Sequence, residues 1–164
     1  MNTPVRGMIV LLIFLIGLLL TVGHLPRALP GWIGWLRPEW IVLICFFWAV
    51  ELPERLGLVS VWAFGSVADV LVGDAFGTNG ACLALVSFVG WKLHSRVALY
   101  SPFQQIALMF GMCLGVLWIK AVIDNLLNDV AFTPQILVSA VCTGLWWIPM
   151  SRVLGRLKTR FDIR

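Results

Sequence analysis

Charged residues are scarce in this sequence. Lys, Arg, Asp and Glu together make up 12% of its 164 residues, whereas an average soluble domain carries about 25%. Hydrophobic residues make up 60%, and the mean hydropathy is +0.95. The few polar residues cannot cover the surface of a water-soluble domain. The remaining apolar side chains must therefore face lipid, other protein or both. The length is that of one domain, with no linker, low-complexity tract or internal repeat.

The usual signatures of catalysis and of metal or phosphate binding are also missing. There is no P-loop, no HExxH and no pair of carboxylates at helical spacing inside an apolar segment. The two histidines, His24 and His94, are too far apart along the predicted helices to share a metal, and neither lies in a catalytic arrangement. The four cysteines lie singly in apolar runs, as is typical of buried hydrophobic residues. We therefore expect no catalytic residue, no metal site and no cofactor.

Six apolar segments follow one another along the chain. A helix needs roughly 20 apolar residues to cross the hydrocarbon core of a bilayer, and backbone in lipid must satisfy its own hydrogen bonds. We therefore predict an all-α integral membrane protein, a six-transmembrane-helix bundle in a single domain. The first segment is predicted to be a retained helix rather than a signal peptide, because no cleavage site of small residues follows it. The predicted spans are about 7–25, 39–52, 56–72, 76–97, 103–123 and 134–154, with a short basic tail at 155–164.

The basic residues predict the orientation of these spans, because Lys and Arg accumulate in cytoplasmic segments. If both termini are cytoplasmic, the outer segments hold Arg27 and Arg37, and Lys120 lies within a span. The inner segments then hold Arg6, Arg55, Lys92, Arg96, Arg152, Arg156, Lys158, Arg160 and Arg164. The outer loop before the second span carries Trp32 and Trp35, which are typical of the membrane interface. Because the basic residues mark helix ends and the tail, they do not indicate nucleic-acid binding.

Two ionisable residues, Asp69 and Lys120, lie inside predicted spans. A charge at the centre of a bilayer costs at least about 2.5–3.5 kcal/mol, so each needs a reason. Both lie near the outer ends of their spans, on the same side as Arg37 and Glu39. We predict a polar cluster in the outer half, with Asp69 and Lys120 as an intramembrane ion pair or near neighbours. Its role is either a structural pair or a pocket or partner contact, and Asp124, four residues after Lys120, offers a local alternative partner.

Small and charged residues predict further local features. Gly111 and Gly115 form GxxxG, which lets helices approach closely and favours packing within the chain over dimerisation. The segment Gly73 to Gly77 predicts the turn between the third and fourth helices, where glycine adopts conformations that other residues resist. The charged turn at 51–55 is interpreted as solvated, with partner docking as the alternative.

A more specific pattern lies between residues 36 and 80. The run LRPEW (36–40) opens a short apolar helix, an ELP turn (51–53) follows it, and the spacing GxxxDxxxG covers residues 65–73. In a six-span chain of this length with a short basic tail, the pattern resembles the bacterial rod shape-determining protein MreD family. The likeness covers the whole chain in length and hydropathy, and its specific part is this region.

The resemblance implies a role that composition cannot show. Members of the family lie in the bacterial cytoplasmic membrane and pair directly with the bitopic protein MreC. They work beside MreB, RodZ, RodA and a class B penicillin-binding protein in the machinery that directs lateral peptidoglycan synthesis and maintains rod shape. The resemblance also implies a fold like that of the substrate-binding subunits of energy-coupling-factor transporters.

The expected function is therefore a non-enzymatic membrane scaffold of the cell-wall elongation complex, in contact with membrane lipid. The region expected to form a partner contact or pocket comprises Arg37, Glu39, Trp40, Asp69, Gly73 and Lys120.

Two other functional classes remain open. A small-molecule-binding subunit of a membrane transporter would have an outward pocket lined by Trp32, Trp35, Trp40 and Asp69. An intramembrane enzyme would need catalytic groups that converge near Asp69 and Lys120.

Overall fold

All regular structure in the described part of the chain is helical. The computed structural model describes residues 3–23, 36–52, 57–128 and 133–161. The predicted all-α fold is confirmed for these residues, and each of the six apolar segments supplies one helix. The helices are α1 (Thr3–Val22), α2 (Trp40–Glu51), α3 (Leu58–Val72), α4 (Thr78–Val97), α5 (Pro102–Asn128) and α6 (Gln135–Arg160).

The short helix α2 forms the centre of the bundle. Every residue from Ile41 to Ala49 is buried, with exposed fractions of 4% or less. Helix α2 packs against α1, α4 and α6, so apolar side chains surround it on all sides. Its 12 residues correspond to a length of about 18 Å. Because neighbouring helices cover it, α2 needs no polar face.

Two helix hairpins flank this centre, α3 with α4 and α5 with α6. The turn of the first hairpin contains Gly73 and Gly77 with φ angles of +84° and +89°, a backbone region that glycine enters without a steric penalty. The predicted turn is therefore confirmed. Within this hairpin the backbones touch: a Cβ atom added to Gly65 would lie 2.6 Å from the Cα atom of Gly80.

The GxxxG pair on α5 does not take part in such packing. Both Gly111 and Gly115 are exposed, and a Cβ atom on either would meet nothing within 4 Å. The expectation that this pair packs within the chain is therefore wrong for the described residues. The close approaches inside the bundle use other glycines: Gly17 against Ile44, and Gly90 against Ala49.

The outer surface of the bundle is apolar. Large hydrophobic side chains point outward on five of the described helices, among them Leu19 on α1, Val70 on α3 and Phe103 on α5, which are 64%, 69% and 80% exposed. Within the described ranges, two helices are long and apolar enough to cross a membrane, over Pro102–Leu127 and Gln135–Arg160. Only 17% and 22% of their most apolar stretches are buried, whereas the core helix of a soluble protein would be mostly buried.

Candidate functional site

Six helix ends converge around one polar cavity. It has a volume of about 580 Å³ and lies where α1, α3 and α5 end or approach their ends and where α2, α4 and α6 begin. The lining mixes charged, hydroxyl and amide side chains with a few apolar ones. The lining residues are Thr21, Arg37, Pro38, Glu39, Val72, Asp74, Asn79, Leu117, Lys120, Thr133, Gln135, Ile136 and Ser139.

Arg37 ties the start of α2 to the end of α1. Its guanidinium donates to the backbone oxygens of Leu20, Thr21 and Gly23, with a distance of 3.2 Å to Thr21. The last carbonyls of a helix lack partners within the helix and carry partial negative charge, so a cation stabilises them. The backbone oxygen of Arg37 in turn accepts a hydrogen bond from the hydroxyl of Ser139 on α6, at 2.7 Å. Arg37 therefore joins three helices on one wall of the cavity.

Glu39 and Lys120 form an open ion pair in the cavity wall. Glu39 Oε2 lies 3.8 Å from Lys120 Nζ, and each side chain is less than one-fifth exposed. This separation is longer than the roughly 2.7–3.2 Å of a hydrogen bond. Glu39 Oε2 is buried and has no hydrogen-bond partner among the described residues. Asp74 and, more weakly, Asp69 also act electrostatically on the Lys120 ammonium, so Lys120 lies in a largely anionic surrounding.

Asp69 holds the turn between α3 and α4. Its carboxylate is fully buried and accepts three hydrogen bonds, from the backbone N–H of Gly77 at 2.8 Å, the backbone N–H of Asn79 at 2.9 Å and the Asn79 side-chain amide at 2.7 Å. These donors lie at the start of α4, where free N–H groups favour a negative charge. The Asn79 amide also donates to Asp74, at 2.9 Å.

The partners of Asp69 and Lys120 thus differ from the predicted ones. The ion pair expected between Asp69 and Lys120 is corrected to Glu39 with Lys120, and Asp124 is not the paired carboxylate. The physical reason is that the first turn of α4 already satisfies both oxygens of Asp69. Asp69 remains near enough to Lys120 to act on it electrostatically.

The six predicted site residues divide into two groups. Arg37, Glu39 and Lys120 line the cavity, whereas Trp40, Asp69 and Gly73 are not among its lining residues. The Trp40 ring packs edge-on against Trp146, with ring centroids 5.4 Å apart. Gly73 ends α3, and its N–H donates to the backbone oxygen of Asp69 at 2.8 Å. Two residues predicted to line a pocket, Trp32 and Trp35, lie outside the described residues.

Sequence reasoning missed the polar residues in the first turns of α4 and α6. Asn79, Gln135 and Ser139 all line the cavity, and each lies within five residues of the start of its helix. The signal was available, because a bundle of alternating helices brings the starts of α2, α4 and α6 to one end.

At the opposite end of the bundle, Lys158 pairs with Glu51 and so joins the ends of α6 and α2. Part of the charged turn at 51–55 lies outside the described residues.

The described cysteine, histidine and carboxylate side chains do not gather into a metal-binding group of three or more. The cysteines are free thiols. Cys45 lies 3.1 Å from the hydroxyl of Ser87 in the core, a contact that joins α2 and α4.

An all-helical bundle with an apolar outer surface, whose buried charges are held by partners near one end, has the architecture of an integral membrane protein. The family model described as rod shape-determining protein MreD matches residues 1–156. The chain therefore belongs to the rod shape-determining protein MreD family, and this membership gives it a role in determining rod shape.

One curated relative supports the assignment. The chain is 22% identical over 118 residues to the rod shape-determining protein MreD of Haemophilus influenzae, and the alignment covers 68% of this chain and 69% of that protein. No solved structure gives a significant match.

Proposed function

We propose that this chain is a non-enzymatic membrane scaffold of the bacterial cell-wall elongation machinery and that it pairs directly with a bitopic protein of the MreC type. Family membership supports the role in cell shape. The observation that carries the scaffold proposal is the apolar exterior of the bundle, because exposed side chains such as Val70, Phe103 and Trp118 offer contact surface to lipid and to other membrane helices. MreB, RodZ, RodA and a class B penicillin-binding protein are further members of the proposed assembly.

The proposed topology has six spans in the cytoplasmic membrane with both chain ends in the cytoplasm. The alternating directions of the helices support it, since the cavity collects the starts of α2, α4 and α6. Lys158 and the basic residues near it lie at the other end, beside Glu51. An excess of Lys and Arg marks the cytoplasmic side, so the cavity faces outward. The short α2 fits this topology because protein rather than lipid surrounds it.

We propose the open glycine pair on α5 as the surface that pairs with the single span of MreC. Apolar burial gives no net gain between helices in lipid, so pairing depends on close packing and on a few polar groups. Gly111 and Gly115 lie four residues apart with open space above each, and this geometry admits the backbone of a second helix. Arg37 and Asp69 are less suited to direct contact, because both are occupied in holding helix ends.

Substitution of these glycines tests the pairing surface. We expect Gly111→Leu and Gly115→Leu each to reduce co-purification of MreC by about tenfold, equivalent to roughly 1.4 kcal/mol, because the side chain blocks the approach. Leucine is a better helix former than glycine, and neither site has a neighbour to clash with, so the bundle itself stays folded. In cells depleted of the wild-type chain, which we expect to round up and lyse, neither variant restores rods.

Gly7→Leu is the matched control, since Gly7 on α1 is also exposed with nothing within 4 Å. It should keep both MreC binding and rod shape. Unchanged co-purification in all three variants would remove α5 from the interface. Normal rods after depletion would contradict the scaffold proposal as a whole.

A second candidate function, a small-molecule-binding subunit of a transporter, is favoured by the cavity alone. Its volume of about 580 Å³ falls within the roughly 300–1,000 Å³ of ligand sites. Normal rods that lose uptake of one nutrient after depletion would support this candidate over the scaffold.

A further inference from the structure

The polar cavity contains more charge than the architecture needs. The charges of Arg37 and Asp69 have a structural role, because Arg37 caps the end of α1 and Asp69 caps the start of α4. Glu39 and Lys120 hold no helix end in this way. They face one cavity, 3.8 Å apart, and a charge at membrane depth is retained only for a reason.

We propose that this cavity binds a small zwitterion, a group that carries an ammonium with N–H donors and an anionic oxygen. An aminophospholipid head group and a free molecule such as glycerophosphoethanolamine share this chemistry. The inference goes beyond the scaffold function and does not depend on pairing with MreC.

The charge balance of the lining selects a zwitterion over a simple ion. Two cations, Arg37 and Lys120, and two anions, Glu39 and Asp74, line the cavity, so their formal charges cancel. An anion alone would meet both carboxylates of the lining. A cation alone would meet both basic side chains. A ligand that carries both signs keeps the cavity neutral and offers Glu39 and Lys120 a partner of opposite charge each.

The hydrogen bonding of the pair points to N–H donors on the ligand. Glu39 Oε2 is buried without a hydrogen-bond partner among the described residues, and a buried acceptor without a donor is destabilising. The Glu39 side chain as a whole is 19% exposed, so a rotation of its carboxylate brings the unpartnered oxygen to the cavity. The flexible stem of Lys120 then lets its ammonium swing toward an anionic oxygen of the ligand while a ligand ammonium donates to Glu39. The side chains of Thr21, Gln135 and Ser139 line the same space and supply hydroxyl and amide groups for the remaining polar atoms.

Location and shape fit such a ligand. Residues of α1, α3, α4, α5 and α6 and the segment 37–39 that leads into α2 contribute to the lining, so the cavity belongs to the whole bundle and not to a groove between two helices. It lies at the bundle end, where the proposed topology has the outer head groups. A head group can therefore enter while its acyl chains stay against the apolar exterior.

The test compares three lipids with identical acyl chains on the purified full-length chain: phosphatidylethanolamine, phosphatidylcholine and phosphatidylglycerol. Binding is measured by native mass spectrometry and by the thermal midpoint in detergent. We expect phosphatidylethanolamine to bind about tenfold more tightly than either of the others. Phosphatidylcholine lacks N–H donors for Glu39, and phosphatidylglycerol lacks the ammonium altogether. Equal binding of all three lipids to the wild-type chain would overturn the inference.

Soluble glycerophosphoethanolamine separates the two sources of the ligand. A stabilising shift with this compound that matches the lipid indicates a free zwitterion, whereas a shift with the lipid alone indicates a membrane head group. No shift with either contradicts the proposal.

Variants add a second measurement. Glu39→Gln should lower the preference for phosphatidylethanolamine to less than about threefold, because Glu39 is the group that meets the ligand ammonium. Lys120→Gln should instead weaken the binding of all three lipids to a similar degree, because it removes the partner of the phosphate that they share. Glu51→Gln is the matched control, because Glu51 is also ion-paired, with Lys158, but at the opposite end of the bundle; it should keep the full preference. Loss of preference in Glu51→Gln to the same degree would count against the cavity as the site. MreC co-purification is a separate readout, so the two proposals fail independently.

Discussion

At the scale of single residues, Asp69 shows how a charge is tolerated inside an apolar bundle. Three N–H donors from Gly77 and Asn79 surround its carboxylate at 2.7–2.9 Å, and the start of α4 adds a favourable partial charge. The residue therefore stabilises the α3–α4 turn locally, and no side chain of the described ranges forms a salt bridge with it.

Replacement of Asp69 should destabilise the bundle. We expect Asp69→Ala to lower the free energy of unfolding by about 2–3 kcal/mol, because buried donors that lose their acceptor cost roughly 1–3 kcal/mol. The measurement is the thermal midpoint of the chain purified in detergent. Asp74→Ala serves as the control: Asp74 accepts one hydrogen bond from Asn79 and is partly exposed, so its loss should cost much less. Equal losses in the two variants would show that the capping geometry does not matter.

Sequence reasoning reached part of this site. It gathered Arg37, Glu39, Asp69 and Lys120 at one end of the bundle because positions along alternating helices fix depth. Depth does not fix direction around the helix axis, so the partner of Lys120 was assigned to Asp69 instead of Glu39. The caps on α1 and α4 were missed for the same reason, since they depend on how the helix ends meet in three dimensions.

At the scale of the helices, glycine decides which surfaces can approach. The backbones of α3 and α4 touch where Gly65 faces Gly80, whereas Gly111 on α5 faces open space. The sequence alone does not distinguish the glycines at helix contacts from the exposed one. Apolar side chains cover both the inner and the outer face of a helix in this bundle, so hydrophobic periodicity carries no signal for which glycine lies inside.

Two glycine-to-alanine variants separate these environments. We expect Gly65→Ala to destabilise the chain by about 1–3 kcal/mol, the usual cost of overpacking, because its Cβ would lie 2.6 Å from the backbone of Gly80. Gly111→Ala should leave the thermal midpoint unchanged or raised, since alanine favours the helix by about 1 kcal/mol. If Gly65→Ala proved as stable as Gly111→Ala, the close crossing of α3 and α4 would be refuted.

At the scale of the whole molecule, composition predicted the fold class well. A chain with 12% charged residues leaves little choice but helices with apolar surfaces, and the segment between residues 36 and 80 pointed to the family that the comparison then showed. The sequence did not predict how the helices are arranged relative to one another. The central position of α2, which is buried from Ile41 to Ala49, could not be distinguished by sequence from a short span facing lipid.

The outward position of the cavity follows from the proposed orientation of the bundle, and a topology reporter tests that orientation directly. Alkaline phosphatase, which is active only outside the cytoplasm, is fused either after Arg164 or after Gly77 in the α3–α4 turn. The proposed topology predicts an inactive fusion after Arg164 and an active one after Gly77, where Asp69 and Asn79 mark the cavity end. An active fusion after Arg164 together with an inactive fusion after Gly77 would contradict the proposed orientation and place the cavity on the cytoplasmic side.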